Sequence, residues 1–254
     1  MTNEELTKAL TSILVSKIST PTSTRSGKVE KVIHISDLYS FCFRKYILAY
    51  KNDIPINTTQ LNLPISLRVT FGLGYYIERM VLKSLYPYLV GQLNTCKQCG
   101  QIKYNAPLLA WTVGDYTITG HPDGIVKLGN TNYIIDVKSI DKDRFKDLDE
   151  ANLENQWQIR GYLYLKRKLK LKIGNVGFLI YVSKGHNQMP IKVFPVTLNK
   201  VYKNWMDDTV KEIETFSKNR RRIPKMVCST ELHPLARTCP VKDICFKKKG
   251  GKKK

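Results

Sequence analysis

The sequence has few acidic residues for its length. It contains 21 aspartates and glutamates against 42 lysines and arginines, so its formal net charge is +21 over 254 residues. Six of the lysines lie in the last eight residues, and removing six charges from +21 still leaves +15. Such an excess indicates a polyanionic partner, nucleic acid first, and disfavours a neutral metabolite. The other interpretation is that the basic charge only aids solubility.

A long hydrophobic run is also missing. No stretch approaches the ~20 apolar residues that a membrane-spanning helix needs. The segment 1–18 carries acidic residues where a secretory signal has basic ones. We therefore expect a soluble, cytoplasmic protein that has no membrane partner. In that compartment the six cysteines indicate metal or cluster ligation rather than a disulfide framework.

The chain divides into three predicted regions. Residues 1–28 predict an amphipathic helix followed by a flexible link rich in Ser, Thr, Pro and Gly. Residues 29–246 form the predicted main domain, and the lysine-rich residues 247–254 predict a disordered tail.

Helical and strand patterns alternate along the main domain, in an order that predicts a mixed α/β sheet flanked by helices. The predicted elements are a helix capped by Ser36, a helix over 67–89, strands between 101 and 140, a helix over 152–169, strands over 175–183 and 189–198, and a helix over 199–217.

A dipeptide suited to a two-residue hairpin turn, Gly129–Asn130, separates two of the strand patterns. This turn pairs positions whose numbers sum to 259, so Asp123 lies opposite Asp136, and Lys138 shares the face of Asp136. Opposed carboxylates repel each other unless a cation lies between them, and hard oxygen ligands favour Mg²⁺ or Mn²⁺. The alternative is a register shifted by one residue, with both aspartates facing solvent.

Two predicted helices carry polar side chains in otherwise apolar stripes. Polar groups in such stripes need partners, so both helices are expected to point towards one place. The alternative is an exposed glutamate on one helix and a tyrosine packed in the core on the other. The first stripe holds Glu78 with Phe71, Gly74, Leu82 and Leu85, and the second holds Gln158 and Tyr162 with Leu165 and Leu169.

Three ordered motifs resemble those of the RecB-like branch of the PD-(D/E)XK nucleases. The motifs are "GxxD" over 120–123, "D-x-K" over 136–138 and "Q-x-x-x-Y" over 158–162. The resemblance implies a PD-(D/E)XK restriction-endonuclease-like core, with Asp123, Asp136, Lys138, Gln158 and Tyr162 at a catalytic centre.

The same branch has "G-x-x-x-H" on an earlier helix, where the histidine helps to ligate the metal ion. Gly74 matches this motif, but position 78 is glutamate. Glutamate serves as the first-helix ligand in other PD-(D/E)XK branches. The resemblance therefore implies Mg²⁺ or Mn²⁺ held by Glu78, Asp123 and Asp136.

The cysteines are similar in arrangement to those of the CRISPR-associated exonuclease family of Cas proteins and the nuclease domains of AddB and Dna-two helicase-nucleases. Those proteins have one cysteine before the nuclease core, as Cys42 is here, and a last pair spaced like Cys239 and Cys245. The family's remaining cysteine precedes that pair by three residues. Position 236 is alanine, and Cys228 is the nearest candidate.

The resemblance implies an iron-sulfur cluster, [4Fe-4S], held by four thiolates that tie the two ends of the domain together. The alternative is four free or buried cysteines without metal. Cys96 and Cys99 remain, in "TCKQCG", which is half of a possible zinc knuckle.

The predicted function is a metal-dependent exodeoxyribonuclease. The resemblance implies action on single-stranded DNA ends, 5′ to 3′, with spacer-acquisition or recombination proteins as partners. A different class of function is a non-catalytic nucleic-acid-binding scaffold, but opposed carboxylates beside a polyanion would not help a binder. A third is a redox or zinc regulator, which leaves the hairpin carboxylates unexplained.

Overall fold

The computed structural model describes residues 31–54, 56, 65–95, 102–105, 107–185, 190–219 and 223–247. The predicted N-terminal helix and link, Cys96, Cys99 and nearly all of the predicted tail lie outside these ranges.

Seven α-helices and two 3₁₀ helices lie within the described residues. No helix there is long and apolar enough to cross a membrane. The α-helices are α1 Phe43–Lys51, α2 Ile65–Ser84, α3 Lys142–Lys146, α4 Leu153–Lys168, α5 Lys200–Lys218, α6 Pro234–Arg237 and α7 Lys242–Phe246, and the 3₁₀ helices are Ile35–Ser40 and Tyr86–Tyr88.

Two helix predictions need correction. Ser36 is not an N-cap: it lies inside the 3₁₀ helix, whose N-cap is His34, and α1 begins seven residues after it, behind Cys42. Helix α2 ends at Ser84, short of the predicted residue 89. The chain tightens there into a 3₁₀ turn that contains Pro87, because proline has no N–H with which to continue an α-helix.

Nine strands are described, and they form a mixed arrangement, as predicted. A four-stranded sheet has the order β6-β7-β8-β9, a three-stranded sheet the order β1-β5-β4, and β2 pairs with β3. In the larger sheet β7 and β8 run parallel, and the other neighbours are antiparallel. The strands are β1 Val32–His34, β2 Gln92–Thr95, β3 Ile102–Asn105, β4 Leu109–Val113, β5 Tyr116–Gly120, β6 Gly124–Leu128, β7 Thr131–Asp141, β8 Val176–Lys184 and β9 Ile191–Thr197.

The β6–β7 hairpin has the predicted register. Leu128 pairs with Thr131 and Gly124 with Ile135, so paired numbers sum to 259. Gly129 has φ +60° in the turn, a conformation that glycine adopts without steric cost. The alternative register, shifted by one residue, is therefore wrong.

The larger sheet lies between α2 and α4. Ile135 and Val137 of β7 pack in one cluster with Ile77 of α2. Ile134 and Ile140 of the same strand pack in a second cluster with residues of α4. Because successive side chains of a strand point to opposite faces, Asp136 and Lys138 face the α4 side. Strand β7 thus places Asp136 and Lys138 on the face of the sheet that α4 covers.

Candidate active site

Asp123 lies immediately before β6, where the ladder between β6 and β7 ends. The last pair is Gly124 with Ile135. The backbone N–H of Val137, two residues further along β7, therefore has no partner on β6. The carboxylate of Asp123 accepts that hydrogen bond, from Val137 N to Oδ2, at 2.6 Å. The side chain is thereby fixed against β7, beside Asp136.

Asp136 and Lys138 form an ion pair on β7. Asp136 is 1% exposed, and its Oδ2 lies 2.6 Å from Lys138 Nζ. Among the described residues its Oδ1 has no hydrogen-bond partner. A buried carboxylate oxygen without a partner is costly, so Asp136 has unused capacity to bind a cation.

Glu78 reaches the same place from α2. Gly74, one turn earlier, brings α2 close to β7, because a side chain there would place its Cβ 3.1 Å from Ser139 Oγ. Glu78 is half-buried, and the charges of Asp136 and Lys138 act on it. We call Glu78, Asp123 and Asp136 the carboxylate centre. The predicted stripe is only half right, because Leu82 is buried but Phe71 is 60% exposed.

The electrostatics of the carboxylate centre favour a cation. Burial and the charges of Asp136 and Glu78 raise the pKa of Asp123 well above its usual range. Burial followed by the charge of Asp136 raises the pKa of Glu78, and burial raises that of Asp136 against the opposing effect of Lys138. Burial alone would lower the pKa of Lys138, but the two aspartates outweigh it, so that pKa is raised and the side chain stays an ammonium.

Gln158 and Tyr162, on α4, form a short hydrogen-bonded chain. Gln158 Nε2 donates to Tyr162 Oη at 2.7 Å, and Tyr162 Oη donates to the carbonyl of His121 at 3.0 Å. Tyr162 is buried, and the charge of Asp136 contributes to raising its pKa after burial itself. The pair thus lies beside the carboxylate centre and holds the segment that leads into Asp123. Tyr162 also continues the predicted apolar stripe, because Leu165 is fully buried.

Tyr181, which the sequence patterns did not single out, also adjoins the centre. It pairs in register with Lys138 across the parallel strands, and its hydroxyl accepts hydrogen bonds from Asn155 Nδ2 at 2.7 Å and Asn152 N at 3.1 Å. Burial raises the pKa of Tyr181, and the hydrogen bonds from Asn155 and Asn152 and the charge of Lys138 oppose that rise. In the sequence it looked like one more apolar residue of a buried strand.

The side chains of the carboxylate centre are of the type that binds a divalent cation, but the distances between them are not those of a formed metal site. Within the described ranges, no group of three or more His, Cys, Asp or Glu side chains is arranged to hold a metal ion. Three carboxylates nevertheless face one ammonium, and Asp136 Oδ1 has no partner among the described residues. Carboxylate oxygens are ligands that Mg²⁺ and Mn²⁺ prefer.

Four cysteines, one near the start of the main domain and three near its end, meet at one cavity. Cys42, Cys228, Cys239 and Cys245 are free thiols, and all four line one cavity of about 20 Å³. Burial raises the pKa of Cys42, and the charges of Cys239 and Cys245 add to the effect. The donor set is that of an iron-sulfur cluster, but the cavity holds little more than one water molecule. The geometry therefore does not show the cluster.

Cys228 lines the same cavity as Ala236, the residue that stands where the resemblance leads one to expect a cysteine. Ala236 is buried. Cys228 reaches the cavity from the loop ahead of α6. Arg44 Nε donates to Cys245 Sγ at 3.1 Å, and Arg44 Nη1 donates to the carbonyl of Pro224 at 2.9 Å.

Comparison with known proteins identifies the family. A family model described as the PD-(D/E)XK nuclease superfamily matches residues 89–246, which is more than half of the chain. The chain belongs to the PD-(D/E)XK nuclease superfamily. The match contains Asp123, Asp136, Lys138 and α4. No curated protein matches the chain.

Two solved structures are similar to this chain. One, described as SSO0001, has 17% sequence identity and a TM-score of 0.44, and the alignment covers 92% of this chain and 97% of that one. The other is an alkaline exonuclease, LHK-Exo, from Laribacter hongkongensis, with 9% identity and a TM-score of 0.47, covering 76% of this chain and 90% of that one.

Proposed function

We propose that this nuclease is a metal-dependent exodeoxyribonuclease. The observation that carries the proposal is the convergence of three carboxylates and a half-buried lysine. They are brought to one place from α2, from the residue before β6 and from β7. Charges buried together are expensive unless they bind something. In a chain with a net charge of +21, the substrate that fits is a polyanion.

Each residue of the site has a distinct role in this proposal. Glu78, Asp123 and Asp136 would hold Mg²⁺ or Mn²⁺, which supplies charge neutralisation and lowers the pKa of water when bound. Lys138 has a 27% exposed side chain, so its ammonium can also reach a phosphate oxygen and stabilise negative charge there. Gln158 and Tyr162 position Asp123 through the carbonyl of His121.

The finer description rests on the sequence motifs. Action on single-stranded DNA ends, 5′-to-3′ polarity, and a place in spacer acquisition or recombination are what resemblance to the RecB-like branch implies. Salt-dependent contacts to phosphates would give affinity without sequence preference.

Cleavage of end-labelled DNA tests the proposal. Single-stranded DNA labelled at the 5′ or the 3′ end is incubated with Mg²⁺, Mn²⁺ or EDTA, and wild type is compared with Asp136→Ala. We expect metal-dependent shortening from one end that the substitution abolishes. Lys127→Met is the matched control, because Lys127 is an exposed residue of β6. Binding without cleavage by the folded protein would support a non-catalytic scaffold instead.

We further propose that the four cysteines hold a [4Fe-4S] cluster with a structural role, once the thiols have moved apart to admit it. The convergence of four thiols on one cavity supports this proposal. Iron and sulfide are measured after anaerobic purification, in wild type and in Cys228→Ser. If wild type contains no iron and has no absorbance near 400 nm, the cluster proposal is wrong. An unchanged iron content in Cys228→Ser would exclude Cys228 as a ligand.

A further inference from the structure

Helix α2 carries an exposed aromatic face that begins at the carboxylate centre. Phe71 is 60% exposed and Tyr75 is 55% exposed. They precede Glu78 by seven and three residues, so all three lie within about 60° of one another around the helix axis, and Phe71 is about 10 Å from Glu78 along it. The two rings therefore form a short track that leads to the carboxylates.

The burial of this stripe changes along the helix. Leu82, one turn after Glu78, is 7% exposed, whereas Phe71 and Tyr75, on the other side of Glu78, are more than half exposed. The second half of α2 packs on the larger sheet through Ile77 and Leu82. Residues 69–73, in the first half of the helix, are all exposed. An approaching substrate can therefore contact this part of α2.

A cation accompanies the rings. The guanidinium of Arg79 lies 5.7 Å from the ring centre of Tyr75, and α2 contains three basic residues, Arg68, Arg79 and Lys83, against the single acid Glu78. Exposed aromatic rings beside positive charge are the arrangement on which unpaired nucleobases stack while their phosphates remain close to a cation. A paired duplex keeps its bases stacked on one another and cannot present them in this way.

We propose that Phe71 and Tyr75 form a stacking platform for two unpaired nucleotides next to the carboxylate centre. This inference rests on the proposed function and names how its substrate is selected: strands whose bases are free can stack on α2, and paired ends cannot. The occupant is single-stranded nucleic acid rather than a protein, because the platform continues into the carboxylate centre and the chain has a large positive charge.

The test is binding in EDTA, so that no cleavage occurs. The full-length protein is titrated with single-stranded and blunt double-stranded oligonucleotides that carry 2-aminopurine, whose fluorescence is quenched by stacking. We expect Phe71→Ala and Tyr75→Ala each to weaken single-strand binding about five- to hundredfold and to reduce the quenching, while duplex binding is unchanged. Tyr75→Phe should retain single-strand binding and quenching, because phenylalanine keeps the aromatic ring. Tyr88→Ala is the matched control, because Tyr88 is 52% exposed outside α2.

The outcomes separate this proposal from the nuclease itself. If wild type cleaves but the alanine variants bind single strands as tightly as wild type, the platform is wrong and the nuclease stands. If the variants lose single-strand binding but wild type never cleaves DNA, the stacking platform is supported and the proposed exodeoxyribonuclease activity is wrong. If the variants lose only a self-association that light scattering detects in wild type, the face is an interface between copies, and the proposal is overturned.

Discussion

At the scale of single residues, Lys138 balances part of the negative charge at the carboxylate centre. Its pairing with Asp136 at 2.6 Å compensates a buried carboxylate, and in the proposed nuclease the same ammonium would stabilise negative charge on a phosphate. Two chemical roles therefore meet in one side chain, and removing it should affect both.

We expect Lys138→Met to reduce DNA cleavage by about a hundredfold or more, the loss typical when one stabilising group is removed from a transition state. It should also raise the pKa of Asp136 further, because the opposing charge is gone. Single-turnover cleavage measures the first effect, and equilibrium unfolding as a function of pH measures the second. Lys127→Met controls for loss of charge, and equal cleavage by the two variants would contradict this role.

Two tyrosines of α4 allow a matched comparison. Tyr162 Oη bonds with Gln158 and His121 beside the carboxylates, whereas Tyr164 Oη donates to Asp207 on α5 at 2.7 Å. Each change to phenylalanine should cost about 1 kcal/mol of unfolding free energy. We expect only Tyr162→Phe to slow cleavage, measured as the rate at saturating DNA. A cleavage loss shared by both variants would indicate a purely structural effect.

At the scale of elements, α4 and α5 are joined by an ionic cluster around Asp207. Its carboxylate lies 2.7 Å from Lys203 Nζ and 3.5 Å from Lys168 Nζ. The hydrogen bond from Lys203, followed by that from Tyr164, lowers the pKa of Asp207 from 3.8 to about 2. Because the folded pKa is below the unfolded one, this contribution to stability is present above about pH 4.

We expect Asp207→Asn to reduce the free energy of unfolding at pH 7 by on the order of 1 kcal/mol, an estimate that allows for solvent screening. The difference from wild type should shrink as the pH falls from about 4 towards 2, because the carboxylate then becomes protonated in both states. Denaturant unfolding across that range measures it. Asp208→Asn, at a 79% exposed side chain, should show little effect at any pH.

The elements also show what sequence patterns can predict. The hairpin register was predictable, because a two-residue turn fixes every pair that follows it. The polar stripe of α4 was equally predictable, because helical period alone places Gln158 and Tyr162 on one face. The exposure of Phe71 was not predictable, since it depends on which part of α2 packs on the sheet. The relation between Tyr181 and Lys138 was hidden for a similar reason: strands distant in sequence set it.

At the scale of the whole molecule, the charge of +21 should govern affinity for DNA. We expect the logarithm of the binding constant to fall linearly with the logarithm of salt concentration, with a slope of about −0.7 for each phosphate contacted on single strands. Asp136→Ala permits the measurement without cleavage. Phe71→Ala should lower affinity at every salt concentration and leave the slope unchanged, because stacking releases few ions. Binding that ignores salt would contradict a phosphate-based interface.

The cysteine cavity joins parts of the chain that are far apart. Arg44 bonds to Cys245 across 201 positions of sequence, whereas the carboxylates, Gln158 and Tyr162 all lie between residues 78 and 162. The chain is synthesised from its N-terminus, so the residues of the carboxylate centre leave the ribosome before the last cysteines do. The carboxylates can therefore assemble on a growing chain, but the four thiols meet only after Cys245 has left the ribosome. A chain truncated before α7 would keep the carboxylate centre but lack Cys245, so the four thiols could not meet.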